Sequence, residues 1–177
     1  MRPDVEVRLR ELRESDLPCL HRWYQTPELW DHLVGDFTER SEAEAVSYMR
    51  RWLLPSEHEL RLGIELSTAD GWRLVGLAFF APLDRTKGHA ELHTMIGEPS
   101  ERGRGVGRRA VAALMDRGFA MGLRRIELRV LQTNAAARRL YEACGFQAIG
   151  HAAPVIKHGR QVEVLRMAVD QPRSATT

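Results

Sequence analysis

The pattern of apolar and polar residues predicts four strands in the first half of the chain. These stretches are Val5–Leu12, Glu59–Ser67, Trp72–Leu83 and Lys87–Ile96, and apolar and polar residues alternate along the first and the last of them. The turn-forming residues Ala69–Gly71 separate the second stretch from the third, so we expect these two strands to form a hairpin.

Apolar residues at helical spacing predict two helices between the first and second of these strands. One covers Asp16–Tyr24, with Ser15 as its N-cap, and the other covers Ser41–Leu54 and ends at Pro55. The segment between them, Gln25–Arg40, has no regular period and is expected to be irregular.

Helices and strands alternate in the second half of the chain. The pattern predicts a helix over Arg108–Met121, a strand over Arg124–Leu131, a helix over Asn134–Ala143 and a hairpin formed by Phe146–Ile156 and Arg160–Val169. The whole order predicts an α/β fold with a mixed, mostly antiparallel central sheet of six to seven strands, flanked by about four helices. We expect one domain over residues 1–170 and a flexible tail over residues 171–177.

Composition narrows the function classes. The chain has 177 residues, of which 44% are hydrophobic, and a net charge of only +2, which argues against a protein that coats nucleic acid. Two cysteines fit a reducing compartment, and no apolar run is long enough to span a bilayer, so we expect a cytoplasmic protein without a membrane partner. The histidines and cysteines are scattered, and no metal site is expected.

The run Arg102-Gly103-Arg104-Gly105-Val106-Gly107 opens the predicted helix that includes Arg108. The start of a helix has unpaired N–H groups and a partial positive charge, and therefore favours a phosphate. The run lacks the third glycine of a dinucleotide fingerprint and the Gly-Lys-Ser/Thr of a Walker loop. Taken alone it is consistent either with a phosphate cradle or with an ordinary helix entry.

A second stretch of interest runs from Asn134 to Phe146. Asn134 is a good N-cap, and the apolar stripe that contains Ala137 and Tyr141 is typical of a helix face in the core. A buried tyrosine in such a stripe commonly has only a packing role.

Together the two stretches resemble the GNAT superfamily of acyl-CoA-dependent N-acyltransferases. The family pattern is a strand, Arg/Gln-x-x-Gly-x-Gly/Ala, a helix and a strand, and then Asn-x-x-Ala-x-x-x-Tyr-x-x-x-Gly-Phe. The matching residues are Arg102, Gly105, Gly107, Asn134, Ala137, Tyr141, Gly145 and Phe146. The resemblance extends from about Ala90 to Gly150, and the last hairpin looks like the branch with bacterial spermidine and ribosomal-protein N-terminal acetyltransferases.

The resemblance implies that acetyl-CoA is the co-substrate, with its pyrophosphate on the backbone of residues 102–107. It implies that Arg102, Arg104 or Arg108 neutralises phosphates, and that the strand before the loop binds the pantetheine arm. The implied cofactor-binding residues are Thr94, Met95, Ile96, Arg102, Gly103, Arg104, Gly105, Val106, Gly107, Arg108, Asn134, Ala137 and Tyr141. Tyr141 is also the implied general acid for the leaving thiolate.

A protonated amine with a pKa of about 10 must lose a proton before it attacks a thioester. Glu91 aligns with the glutamate that histone acetyltransferases of this superfamily use as base. His93 lies one pleat along on the same strand face and is a second candidate, acting through water. A solvated strand face without a catalytic role remains an alternative for both residues.

Glu28, Trp30 and Asp31 are candidates for the acceptor pocket, since acids with aromatic residues can hold a cationic amine by ion pairing and cation–π contact. A polar loop with a few residues anchored in the core is the alternative interpretation of this segment. The leading hypothesis is acetyl transfer to a primary amine of a small molecule such as a polyamine, an amino metabolite or an amine-bearing antibiotic. A protein N-terminal acetyltransferase and a non-catalytic acyl-CoA-binding module are the alternatives, and a homodimer is possible.

Overall fold

The computed structural model describes residues 6–172. Within this range seven strands form one sheet in the order β1-β2-β3-β4-β5-β7-β6. The strands are β1 (Val7–Glu11), β2 (Leu60–Thr68), β3 (Gly71–Asp84), β4 (His89–Ile96), β5 (Arg125–Leu131), β6 (Gln147–Lys157) and β7 (Arg160–Asp170). The helices are α1 (Leu17–Tyr24), α2 (Pro27–Trp30), α3 (Glu42–Arg50), α4 (Val106–Ala120) and α5 (Ala135–Ala143).

All neighbouring strands pair antiparallel except β4 and β5, which are parallel. The fold class predicted from the sequence, a mixed and mostly antiparallel sheet flanked by helices, is therefore confirmed. A single domain over residues 1–170 stays a prediction. Val5, and residues 173–177 of the predicted tail, lie outside the described residues.

Each face of the sheet carries its own hydrophobic core. On one face α4 and α5 pack against side chains that include Phe80, Leu92 and Leu128. On the other face α1 and α3 pack against Leu74 and Leu77. Successive side chains of a strand point to opposite faces of the sheet, so a single strand such as β3 supplies residues to both cores.

The structure differs from the sequence pattern at several helix boundaries. Ser15 does not cap the first helix: Asp16 is the N-cap of α1, and its carboxylate accepts hydrogen bonds from the Arg13 backbone and from Arg10. The segment predicted to be irregular contains the short helix α2, which begins at Pro27, a residue whose fixed φ suits a first helical turn.

The candidate site lies where the pairing between β4 and β5 ends. The two strands pair only from His89–Glu91 to Arg125–Glu127, although β4 continues to Ile96. Beyond Glu91 the edge of β4 that faces β5 has no strand partner within residues 6–172. Ligands of α/β sheets bind where neighbouring strands part at their carboxyl ends, so this opening is the expected site.

Candidate active site

The glycine–arginine loop ends in a left-handed glycine at the start of α4. Gly105 has φ 80° and is the N-cap, and within residues 6–172 no side chain caps this end of the helix. α4 begins at Val106, two residues earlier than the sequence pattern predicts, because Gly105 adopts the left-handed turn that an L-residue disfavours. The N–H groups of the first turn are thus left for a ligand.

Gly107 brings three parts of the site together. A Cβ at this position would lie 2.9 Å from Leu140 Cδ1 of α5 and 3.8 Å from Ile96 Cγ1 of β4. The absence of a side chain therefore lets the loop, the end of β4 and the helix that carries Tyr141 approach closely.

The predicted phosphate-binding arginines differ in their surroundings. The Arg102 Nε donates to the Ile96 carbonyl oxygen at 3.0 Å, at the end of β4. The Arg104 Nη1 donates to Glu101 Oε2 at 2.6 Å. Arg108 is exposed, and its side chain has no hydrogen-bond or ion-pair partner among residues 6–172. Arg108 is thus the one of these three that needs to break no existing contact to meet a phosphate.

The end of β4 offers a backbone edge to a ligand. Thr94, Met95 and Ile96 pair with β3 on one side and are half-buried. On their other side the β5 ladder has already ended. An unpaired strand edge presents N–H and C=O groups, which suits an amide-containing chain such as pantetheine.

Tyr141 lies in the core stripe of α5, as the sequence predicts. It is 7% exposed, and its ring meets Phe146 at a centroid distance of 5.9 Å. Its hydroxyl has no hydrogen-bond partner among the described residues. Burial raises the pKa of the Tyr141 hydroxyl above its ordinary value, so it holds its proton at neutral pH and can donate it.

Asn134 caps α5, as the sequence predicts. Its Oδ1 accepts from the Ala137 N–H at 3.1 Å, and its Nδ2 donates to the His32 carbonyl oxygen at 3.1 Å. The second bond joins the start of the tyrosine helix to the segment between α2 and α3. Both ends of the Asn134 amide are therefore occupied by the protein.

The two base candidates lie together where β4 and β5 part. Glu91 accepts a hydrogen bond from Arg129 Nε of β5 at 2.8 Å, which closes the opening at its base. His93 stacks on Phe79 at 4.7 Å, and its Nε2 lies 2.8 Å from the Ala81 carbonyl oxygen. A carbonyl only accepts, so Nε2 carries the proton and Nδ1 is the basic atom.

The surroundings of the two candidates differ. Burial lowers the pKa of His93 below its ordinary value of 6.5, so the imidazole is neutral at pH 7. The Glu91 carboxylate is held by the Arg129 guanidinium. His93 is therefore the candidate whose side chain is not bonded to an arginine.

The predicted acceptor residues lie in α2 and directly after it, and their surroundings differ. Trp30 donates its indole N–H to the Tyr24 carbonyl oxygen at 3.1 Å. Asp31 pairs with His158 Nε2 at 2.8 Å. Glu28 is exposed at the surface of α2.

A largely buried lysine, which the sequence analysis missed, bonds this segment to the β6–β7 hairpin. The Lys157 side chain is 10% exposed, and its ammonium donates to the carbonyl oxygens of Trp30 and Gly35 and to Asp36 at 3.2, 2.6 and 2.9 Å. Two of these acceptors are backbone atoms more than 120 residues away in the chain, so no local sequence signal could identify them.

Residues 6–172 contain neither a candidate metal site nor a candidate membrane-spanning helix. No group of three or more His, Cys, Asp or Glu side chains in this range is arranged to hold a metal ion. No helix in the range is both long enough and apolar enough to cross a membrane.

Comparison with known proteins identifies the family to which these features belong. Residues 6–147 match the model of the acetyltransferase (GNAT) domain. The chain belongs to the GNAT acetyltransferase family. The family, its use of acetyl-CoA and the predicted enzyme class, an N-acetyltransferase, are thereby confirmed at the level of the domain.

Three relatives of this GNAT domain are informative. The structure of spermidine N-acetyltransferase from Vibrio cholerae, in complex with CoA and spermine, has a TM-score of 0.82 and 26% identity, over 93% of this chain and 95% of that one. Phosphinothricin N-acetyltransferase of Streptomyces coelicolor is 29% identical over 82% of this chain and 85% of its own length. The N-alpha-acetyltransferase RimI of Mycobacterium tuberculosis is 42% identical over 81 residues, 45% of this chain. The matched part of this GNAT chain spans about half of RimI, at 49% of its length.

Proposed function

We propose that the protein transfers an acetyl group from acetyl-CoA to a primary amine of a small molecule. The observation that carries the proposal is the convergence of three features at Gly107. These are an uncapped helix start, an unpaired strand edge and a helix that carries a buried, protonated tyrosine. They suit the pyrophosphate, the pantetheine and the leaving sulfur of one acyl-CoA molecule.

The proposed reaction needs no enzyme nucleophile. The neutral amine attacks the thioester carbonyl carbon, a C–N bond forms, and the C–S bond breaks to release CoA thiolate. Tyr141 gives its proton to the sulfur. His93 Nδ1 takes the proton that the amine nitrogen loses, directly or through one water, and solvent restores both groups. Cys144 is not required, and burial raises the pKa of its thiol, which keeps it a poor nucleophile.

Two relatives that match over most of the chain support a small acceptor. The spermidine and phosphinothricin enzymes act, by their names, on small amines, and each covers more than four fifths of this chain. The segment that Lys157 holds in place supports the same choice: it contacts Asn134 at the start of α5, so we expect it to limit the space for an extended protein substrate.

Acetylation of a protein N-terminus is the second candidate function. The higher identity to RimI favours it, although that match covers 81 residues. A cytoplasmic location and a homodimer stay predictions.

A panel of amines tests the proposal. Purified protein, acetyl-CoA and each amine are combined, and CoA release is followed with a thiol reagent alongside mass spectrometry of the acceptor. The panel contains polyamines, amino acids, amine-bearing antibiotics and peptides with a free N-terminus. Acetylation of a small amine supports the proposal. Acetylation of peptides alone favours the second candidate, and acetyl-CoA binding without turnover on any amine contradicts both.

A further inference from the structure

Three side chains lie in one row across the sheet, on the face that α1 and α3 cover. Arg61 of β2 pairs in register with Phe79 of β3, and Phe79 pairs in register with His93 of β4. Residues directly opposite each other on neighbouring strands point to the same face, so the three side chains are neighbours in this order. We call Arg61, Phe79 and His93 the His93 row.

Strand β3 holds the His93 imidazole by two contacts. The rings of His93 and Phe79 are nearly parallel, with an interplanar angle of 9° and centroids 4.7 Å apart. The register of β3 with β4 shifts between Phe80 and Leu83, and within this irregularity the Ala81 carbonyl oxygen lies 2.8 Å from His93 Nε2. The ring contact fixes the plane of the imidazole, and the carbonyl fixes which nitrogen carries the proton.

Phe79 is itself packed against an aromatic ring and a cation. Trp52 belongs to the single-turn helix Arg51–Leu53 that follows α3, and its ring centroid lies 6.4 Å from that of Phe79. The guanidinium carbon of Arg61 lies 5.0 Å from the centroid of the Trp52 ring and 6.0 Å from that of the Phe79 ring. These distances are typical of cation–π contacts, so both rings help to fix the position of Arg61.

The Arg61 charge is held close to His93 at a cost to the fold. Its side chain is 19% exposed and forms an ion pair with Glu59 at 2.7 Å, but its buried Nε has no hydrogen-bond partner among residues 6–172. A buried donor without a partner lowers stability and calls for an explanation. A cation two strands away from His93, at roughly 10 Å, disfavours a second positive charge on the imidazole.

We propose that Phe79 and Arg61 are positioning residues for the proton transfer at His93. Phe79 orients the imidazole, and Arg61 keeps the imidazole free of a proton until the amine gives one up. The inference rests on the proposed function, since it presumes that His93 takes the proton of the acceptor amine.

The charged groups that face His93 lie on three strands. Burial lowers the pKa of the imidazole, whereas the hydrogen bond to the Ala81 carbonyl and the charge of Glu91, also on β4, raise it. Arg129 of β5 and Arg61 of β2 lower it again. Arg129 bonds Glu91 directly, so its removal would also release that carboxylate. Arg61 bonds neither candidate base, and its removal therefore tests the effect of its charge alone.

The first test follows the pKa of His93 by NMR titration of the purified protein, with His93→Gln used to assign the imidazole signal. Arg61→Met keeps an unbranched apolar side chain against Trp52 and removes the charge. The titration of His93 and the acid limb of kcat/KM should both move to higher pH, by roughly 0.3 to 1 pH unit. An unchanged titration of His93, or an acid limb that does not follow it, overturns the role of Arg61.

Arg8→Met is the matched control. The guanidinium carbon of Arg8 lies 4.0 Å from the centroid of the Trp72 ring, and Arg8 forms an ion pair with Glu65. The control variant therefore loses the same two types of contact as Arg61→Met, but on β1, outside the His93 row. The pKa of His93 and the pH profile should stay unchanged in Arg8→Met. An equal shift in both variants would be a general effect of charge and would also overturn the role of Arg61.

Phe79→Leu tests the role of the stacked ring. The aromatic contact with His93 is lost, so kcat should fall by about 2- to 10-fold, with an unchanged dissociation constant for acetyl-CoA. Phe79→Tyr keeps the aromatic face and should keep kcat, and the melting temperature of each variant checks that the fold is intact. An unchanged kcat in Phe79→Leu, or an equal fall in Phe79→Tyr, overturns the role of Phe79.

A failure of the inference is distinguishable from a failure of the proposed function. If the unsubstituted protein acetylates no amine, the proposed function is contradicted. The NMR titration needs no turnover, so in that case it still decides whether Arg61 acts on the protonation of His93.

Discussion

The Tyr141→Phe variant should lose activity without losing stability. The Tyr141 side chain is 7% exposed, and its hydroxyl has no hydrogen-bond partner among residues 6–172. Phenylalanine keeps the ring contact with Phe146 and removes only the oxygen. The variant therefore deletes the proposed proton donor while it leaves the core of α5 filled.

The structure sets the expected magnitudes. No hydrogen bond is lost, and a poorly solvated hydroxyl is removed, so the free energy of unfolding should stay the same or rise by up to about 1 kcal/mol. The turnover number should fall by roughly 10- to 1,000-fold, because thiolates leave well and general acid assistance is modest here. The raised pKa of Tyr141 means that the unsubstituted enzyme keeps this proton donor throughout the neutral range.

Three measurements check this prediction: the rate of CoA release, the dissociation constant of acetyl-CoA and the melting temperature. Tyr24→Phe provides the stability control, because the buried Tyr24 hydroxyl does have a partner, Arg40 Nε at 2.7 Å, and its loss should lower the melting temperature. Unaltered turnover in Tyr141→Phe would remove the tyrosine from the mechanism. A large fall in melting temperature would show that the hydroxyl has a structural partner instead.

Three further predictions concern Gly105 in the loop, Lys157, which holds the segment after α2, and the candidate base His93. Gly105→Ala and Gly122→Ala each place an L-residue at positive φ with open space around its Cβ. Calorimetry should therefore show that both variants lose a similar free energy of unfolding, about 1–2 kcal/mol. Only Gly105→Ala should weaken acetyl-CoA binding. Lys157→Met should raise KM for the amine severalfold with an unchanged dissociation constant for acetyl-CoA, and an unchanged KM would contradict its positioning role. Folding lowers the pKa of His93, so the unfolded chain takes up the proton before the folded chain does as the pH falls. The stability that His93 contributes is therefore present above about pH 6.5 and is lost as the pH falls below it. Urea unfolding at pH 5.5 and 7.5 should show a smaller pH dependence in His93→Gln, and kcat/KM of the unsubstituted enzyme should fall over the same acid range.

Local features of the site were predictable from the sequence. Gly105 at a helix start, Asn134 as an N-cap and Tyr141 in a core stripe each depend on neighbours within a few residues. Their spacing along the chain carried the family assignment. The hairpin strands β2 and β3 were likewise predicted to within a residue or two, because a short turn fixes which residues pair.

Non-local contacts were not predictable. In the sequence Lys157 is a polar residue near a hairpin tip, yet its ammonium donates to oxygen atoms at the end of α2 and in the segment that follows it. The candidate acid Asp31 forms an ion pair with His158 of the β6–β7 hairpin, which is far from it in the chain. Glu101 and Arg73 are ordinary charged residues in the sequence, and the ion pair between them depends on how β3 lies relative to the loop.

The proposed site of the acetyl donor depends on features that are local in the sequence, whereas the proposed acceptor side depends on contacts between distant residues. A phosphate is bound by backbone groups at one helix start, so a short motif is enough to identify the donor. The proposed acceptor side lies where the segment after α2 meets the β6–β7 hairpin and Asn134, through side chains far apart in the chain. Asn134 joins the two sides, because it caps the helix of Tyr141 and also holds the His32 carbonyl. We therefore expect a shift of the segment after α2 to act on the start of α5, the helix that carries the proposed acid, because one amide bonds to both.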